Sequence, residues 1–273
     1  MSIQETFPLV YRHLPRWRGH KADERDGNAM AYLEYLDEYT LYGQEKGIAY
    51  ALGSWGYTIL RTTYSEESNT LWPIAMDKLN RWVSQYFIHI GRLIKENPDG
   101  TVNEELGRRF ICEVIEGREL EELHLVDLSK ASQDSIKSLV GIFEAWVLKV
   151  AGTTDFYFHQ NPRLSDFLVI DEGALRSLVA LPDKVLPAEL LPRAERRALI
   201  ELWEGAYVWL VDSQAVNRFQ GVNDSENYNG WMKLEAPDIH LAWFERLSKR
   251  RSENWIFGRT DRHEPGVLRY FPQ

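Results

Sequence analysis

Four short apolar runs, each closed by a charged residue, constrain this chain more than any other feature. "GYTILRT" places Arg61 at its end, "DFLVIDE" Asp171, "YVWLVDS" Asp212 and "GWMKLEA" Glu235. Short runs rich in Val, Ile, Leu, Tyr and Trp read as strands, because β-branched and aromatic side chains fit a pleated, half-buried surface. A charge at the end of such a run must either emerge at the rim of the sheet or be paired. Strand side chains alternate, so Tyr57, Ile59 and Arg61 share one face and Thr58, Leu60 and Thr62 the other. The candidate site residues are therefore Arg61, Asp171, Asp212 and Glu235.

Two readings of those charges stay open. In one, a carboxylate from Asp171, Asp212 or Glu235 pairs with the Arg61 guanidinium and closes the end of the sheet, and Asp171 also caps the helix that follows it. In the other, Arg61 holds an anionic or carbonyl group in a polar pocket while a carboxylate works as acid or base.

Longer segments carry helical periodicity. "NAMAYLEYLDEYTLYGQ" spaces Met30, Leu33, Leu36 and Leu41 along one helix. "SEESNTLWPIAMDKLNRWVSQYFIHIGRLIKEN" offers Ser68 as N-cap and lines Trp72, Met76, Leu79 and Val83 on one stripe. Residues 103–126 read as a helix followed by an acidic loop, "SKASQDSIKSLVGIFEAWVLKVAG" as an amphipathic helix through Ile136, Leu139, Val140, Phe143, Val147 and Val150, and "RAERRALIELWEG" and "DIHLAWFERLSKR" as two shorter ones. Residues 213–229 read as a loop.

Helices separated by few strands predict an α+β fold. The expected architecture is a small, mainly antiparallel sheet of about four strands covered by helices on one face. Its layout is that of an elaborated ferredoxin-like sandwich with a long helical insertion. Residues 1–28 are expected to form an irregular arm, 29–250 a single α+β domain, and 251–273 a C-terminal arm packed on that domain.

The pieces "GYTILRT", "FLVIDEGALRSL", "VWLVD" and "YNGWMKLEAPDIHLAWFERL" together resemble a large group of uncharacterised proteins of filamentous fungi. The resemblance covers about residues 55–250. It implies a recurring scaffold built on these four segments, and it implies no activity and no catalytic residue.

Composition removes several function classes. The 273 residues carry a formal charge of −9, so binding to nucleic acid would work against the mean field and is not expected. No apolar run reaches the length of a membrane helix, and the first thirty residues hold no continuous apolar stretch behind a basic start. With a single cysteine, Cys112, the expected location is cytoplasmic and no internal disulfide is expected. The seven histidines stand in no metal-binding spacing, and neither nucleotide-loop motif nor a G-x-S-x-G elbow occurs, so no metal and no cofactor are expected. Cys112 reads as a small buried helix residue, His240 as a helix-surface residue, and most of the ten tryptophans as core, Trp17 and Trp255 excepted.

The expected function is a ligand-binding or protein-interaction module, monomeric or homodimeric. The alternative is a cofactor-independent enzyme of fungal secondary metabolism, an isomerase, cyclase or lyase that uses Arg61 with an Asp or Glu at the sheet end. An apolar cavity of about 300 Å³ or more beside Arg61 would favour a ligand or substrate, and a flat surface an interaction role.

Overall fold

In the computed structural model, which describes residues 27–45, 53–93, 101–151, 161–183, 192–218, 229–248, 258–260 and 267–271, strands are interspersed among helices along the chain. The order begins α1 (Gly27–Glu45), β1 (Thr58–Arg61), α2 (Glu66–Leu93), α3 (Thr101–Arg108), β2 (Glu113–Ile115) and α4 (Arg118–Glu121). After a 3-10 turn at Leu128–Lys130 come α5 (Gln133–Ala151), α6 (Pro162–Ser165), β3 (Asp166–Ile170), α7 (Glu172–Val179) and α8 (Arg193–Gly205). The chain continues with β4 (Tyr207–Asp212), α9 (Ser213–Arg218), β5 (Trp231–Glu235), a second 3-10 turn at Ala236–Asp238, α10 (Ile239–Ser248), β6 (Gly258–Thr260) and β7 (Arg269–Phe271).

The strands form one mixed sheet in the order β2-β1-β3-β4-β5-β7-β6. β1 runs parallel to both β2 and β3, β4 is antiparallel to β3 and β5, and the β6–β7 hairpin joins β5 through the parallel strand β7. The α+β class expected from the sequence stands, but the sheet has seven strands rather than about four and is not mainly antiparallel. The difference comes from short strands. Glu113–Ile115, expected inside a helix and acidic loop, is β2, and three residues are too few to show an alternating pattern. Residues 251–273, expected as an arm, contribute β6 and β7 where they are described. The expected N-terminal arm lies outside the described residues up to residue 26, and α1 already begins at Gly27.

Both faces of the sheet are covered, which makes three layers rather than the two of a ferredoxin-like sandwich. Ile59, Leu168, Ile170, Val208, Leu210, Met232 and Leu234 pack with α1, α2, α3, α7 and α10. The alternate residues Leu60, Phe167, Val169, Trp209 and Val211 pack with α5 through Ile136, Leu139, Val140, Phe143 and Val147. The strands are thus apolar on both sides, as strands between two helical layers must be. Helix α2 starts one turn earlier than the sequence suggests. Ser65 accepts the Ser68 N–H at its Oγ (3.1 Å), while the Ser68 side chain turns inward to donate to the Ser65 carbonyl (2.8 Å).

The entry into β1 is a close backbone approach. Trp55 exchanges hydrogen bonds with Arg109 and Ile111, and the Gly56 carbonyl accepts the Trp243 indole N–H at 3.2 Å. Gly56 has φ +120°, and a Cβ there would stand 2.3 Å from the Ile111 carbonyl oxygen. Gly56→Ala is expected to destabilise the fold by about 3 kcal/mol, since strain and a backbone clash act together. Gly141, exposed within α5 with open space around it, is the control. Gly141→Ala should stabilise by about 0.5–1 kcal/mol. Urea unfolding midpoints measure both, and a tolerated Gly56→Ala would contradict the account of β1 entry.

Candidate functional site

Strand direction decides which of the sequence's four charges meet. β1, β2, β3 and β5 point one way and β4 the other, so Arg61, Asp171 and Glu235 lie at one end of the sheet and Asp212 at the opposite end. Even the three that share an end do not touch one another. Each has other partners.

Arg61 is 7% exposed. Its Nε donates to the Thr63 carbonyl (2.9 Å), Nη1 to Glu116 Oε2 (3.2 Å) and Nη2 to Asn69 Oδ1, while its Cζ lies 4.8 Å from the ring centres of both Tyr64 and Trp72. The carboxylate partner expected from Asp171, Asp212 or Glu235 is Glu116, just past β2, because the parallel β1–β2 ladder brings those two strand ends together. Tyr64 ties the same strands: its hydroxyl donates to the Arg61 carbonyl (2.9 Å) and accepts the Gly117 N–H (3.1 Å).

Asp171 caps α7 by accepting the Ala174 N–H at Oδ1 (2.8 Å), and its Oδ2 accepts the Leu128 N–H (2.9 Å) and the Trp209 indole N–H (2.7 Å). Burial raises its carboxyl above the usual range, and the three N–H groups oppose that rise. Glu235 accepts from Arg269 Nη1 at 3.1 Å. At this end Thr63 also donates to Glu172 (2.7 Å), and Arg176 bridges Glu172 and Glu67, so the first turns of α2 and α7 are fastened together. The polar groups at the carboxyl ends of β1 and β3 are engaged in holding the fold closed.

The opposite end gathers charges of another kind. Asp166, the first residue of β3, is directly paired with Asp212 of β4 and shares the face of Leu168 and Leu210. Arg246 of α10 places Nε 3.1 Å from Asp166 Oδ2 and Nη1 3.7 Å from Asp212 Oδ2. Its Nε–H is aimed at Ser165 Oγ, 3.4 Å away. Asp212 Oδ1 accepts the Ala215 N–H (3.0 Å) and so begins α9. Neither oxygen of Asp166 accepts a hydrogen bond of good geometry, and the Tyr57 hydroxyl is likewise buried without one. Tyr57 precedes the Thr58–Phe167 register pair by one residue, which sets it beside Asp166.

The electrostatics follow from this geometry. Burial pushes the Asp166 carboxyl up to about 8, Arg246 opposes the rise, and Asp212 adds to it. Desolvation and the neighbouring Asp212 carboxylate both favour the protonated form of Asp166. Burial also raises the Tyr57 phenol, with Asp166 contributing. Sequence reasoning missed Asp166 and Arg246. The available signal was an acidic residue immediately before "FLVI", but only the β3–β4 register shows it facing Asp212.

Other sequence expectations change as well. His240 is buried rather than on the helix surface, and burial lowers it to about 4. Cys112 lies between α3 and β2 rather than in a helix, and burial pushes its thiol up to about 11, far from nucleophilic range. Among the described residues no group of three or more His, Cys, Asp or Glu side chains is disposed to hold a metal ion, and no helix is long and apolar enough to cross a membrane. Trp17 and Trp255 lie outside the described residues.

Away from the sheet, a surface groove of about 520 Å³ runs along α8, lined by Arg193, Arg196, Arg197, Glu201 and Glu204, and Arg61 takes no part in it. No family model, no curated protein and no solved structure matches the chain.

Two outcomes are expected at the two sheet ends. Arg61→Ala should cost about 2 kcal/mol, from lost cation–π contact and unpaired Thr63 and Asn69 acceptors, with Arg61→Lys recovering about half. Because Glu116 is half exposed, it is not stranded by either change. Equal stability of wild type and Arg61→Ala in urea would contradict a closing role for the guanidinium.

Asp166 gives a pH dependence whose sign is fixed. An acid held more weakly acidic in the folded state stabilises the fold fully below its unfolded pKa of about 3.9. That contribution is lost as pH rises through the folded value of about 8. Relative to Asp166→Asn, the wild type should therefore lose stability between about pH 4 and 8, at no more than about 1.4 kcal/mol per pH unit. Urea midpoints of both proteins across that range measure it, and a constant difference between them would exclude a protonated Asp166.

Proposed function

We propose that the chain is an interaction module whose recognition surface is the exposed face of α8. One observation carries this reading. The first two turns of α8 hold Arg193, Arg196 and Arg197, and its last turns hold Glu201 and Glu204, all lining one groove. Glu195 in the first turn follows the helix dipole, but three arginines ahead of two glutamates oppose it on balance, since the dipole favours anions at the N-terminus and cations at the C-terminus. Charges set against the intrinsic preference of their helix need another reason to be there, and a partner of complementary charge supplies one. The remainder of the chain is acidic, which makes the arginine end of α8 a local exception to its field.

The engagement of Arg61, Asp171 and Glu235 in structural hydrogen bonds supports recognition over a reaction centre at their end of the sheet. Cofactor-free acid–base chemistry is the second reading, and the buried Asp166 favours it. A carboxyl raised to about 8 stands beside a buried phenol without a hydrogen-bond partner, the kind of pair that acid–base chemistry uses. In host cells making equal amounts of wild type and Asp166→Asn, this reading expects altered metabolite profiles, and identical profiles would remove it.

For the interaction reading, the probe is a short polyglutamate peptide followed by isothermal titration. Binding is expected to weaken at least tenfold when salt rises from about 50 to about 200 mM, as screening requires for exposed charges. It should vanish in a triple Arg193→Glu, Arg196→Glu, Arg197→Glu variant and persist in Arg118→Glu, which changes an arginine equally open to solvent. Equal binding by both variants, or none by the wild type, would count against α8 as the surface.

A further inference from the structure

We propose that the partner of α8 is α8 of a second copy of this chain, packed antiparallel about a two-fold axis. The proposal rests on the interaction reading and names its partner.

Viewed along the helix at 3.6 residues per turn, the solvent side of α8 carries two adjacent rows. Arg193, Arg197, Glu201 and Glu204 make the charged row that lines the groove, with Arg196 at its edge, while Glu195 lies beyond the other row. Ala194, Ala198 and Leu202 make the other, and Leu202, 45% exposed, is among the most exposed large apolar side chains of the described residues. The opposite side points inward, where Trp203 meets Trp82 edge to face at 5.1 Å between ring centres. An exposed row of small residues ending in a leucine, flanked by charges, is the pattern of a helix that packs on another helix. Alanines allow close approach, and the flanking charges set orientation.

Orientation is what selects a second copy. When two identical helices pack antiparallel, the same flank of each helix faces the other, and the order of residues is reversed. The charged row then reads Arg193 against the partner's Glu204 and Arg197 against the partner's Glu201, and the two-fold repeats both pairs. Every contact joins opposite charges. A parallel pair would set like charges level with each other at both ends of the helix. The surface is thus complementary to itself in one orientation, which is the condition for an isologous dimer.

Two local features agree with this. Arg197 already reaches Glu201 of its own helix, Nε to Oε1 at 2.9 Å, and both side chains stay mostly exposed. Their second copies complete an alternating ring of four charges. Glu204 lies in an acidic neighbourhood, where together with burial and Glu235 it raises Asp238 to about 6. An arginine arriving from the partner relieves that repulsion.

The size of the contact sets its strength. A thirteen-residue helix is about 20 Å long, too small to bury the roughly 1,600 Å² of a standard interface. The dimer is expected to be weak, with a dissociation constant on the order of 10 μM at low salt, and to dissociate in about 0.5 M salt.

Sedimentation equilibrium on the full chain tests this with a charge exchange. The Arg193→Glu, Arg197→Glu variant makes the row wholly acidic, and the Glu201→Arg, Glu204→Arg variant makes it wholly basic. Each should be monomeric alone, and an equimolar mixture should form a dimer at least as tight as wild type. Melting temperatures within about 2 °C of wild type exclude misfolding, as expected for exposed positions. A wild type that stays monomeric at about 0.5 mM overturns the proposal, and so does a wild-type dimer that both variants form alone with unchanged affinity. In the first case, salt-sensitive polyglutamate binding that still depends on the α8 arginines would leave the interaction reading standing, so the two can fail separately.

Discussion

The carboxylate of Asp171 is the point on which three layers of this fold meet. It follows the central strand β3, and its two oxygens accept one N–H from the first turn of α7, one from the turn that leads into α5, and the indole N–H of Trp209 on β4. α7 lies on one face of the sheet and α5 on the other, so a single side chain fixes both helical layers to the same strand end. A buried carboxylate is tolerable only when its lone pairs are met, and here they are met by groups that would otherwise be orphans themselves. The register of β3 with β1 and β4 then places everything else, including Arg61 beside β2 and Asp212 at the far rim.

Asp166, four residues before the end of β3, shows what happens without such donors. It has the same burial and the same strand, yet its oxygens face a guanidinium without a well-aligned N–H and a second carboxylate across the ladder. Coulomb attraction from Arg246 does not offset desolvation plus repulsion, so the protonated form is favoured. The two aspartates that bracket β3 therefore differ in their hydrogen-bond donors and in the second carboxylate that faces only Asp166.

Local signals in the sequence carried most of the helices and the burial of Arg61. Of the apolar set expected for α5, Ile136 to Val147 are buried and Val150 is half-buried, because helical periodicity is written within one segment. The N-cap role of Asp171 was equally local. Pairing direction was not, since nothing in "TILR" or "DFLVI" distinguishes a parallel from an antiparallel neighbour, and the partner of Arg61 depends on that choice. The three-residue strands β2, β6 and β7 exist only through their ladders. For the same reason Glu116 and Asp166 stayed hidden while Asp212 and Glu235 attracted attention at run ends that belong to different rims.

Helix α8 follows a different logic from the rest. Elsewhere the chain places its acids where dipoles and caps favour them, as with Glu66 and Glu67 in the first turn of α2 and Asp171 before α7. In α8 Glu195 keeps that order, but Arg193, Arg196 and Arg197 precede Glu201 and Glu204, and each charge set against the dipole costs a few tenths of a kcal/mol. The internal pair Arg197–Glu201 recovers little of that, because both ends are exposed and an arginine preceding a glutamate is the weaker orientation of an i,i+4 pair. Reversal by a second helix removes the conflict, since an antiparallel neighbour brings its acidic end to the arginines and its own dipole into opposition. Such a charge pattern is therefore unfavourable for a helix alone and favourable for an antiparallel pair, so the proposed association would stabilise α8 in a way the sheet does not share.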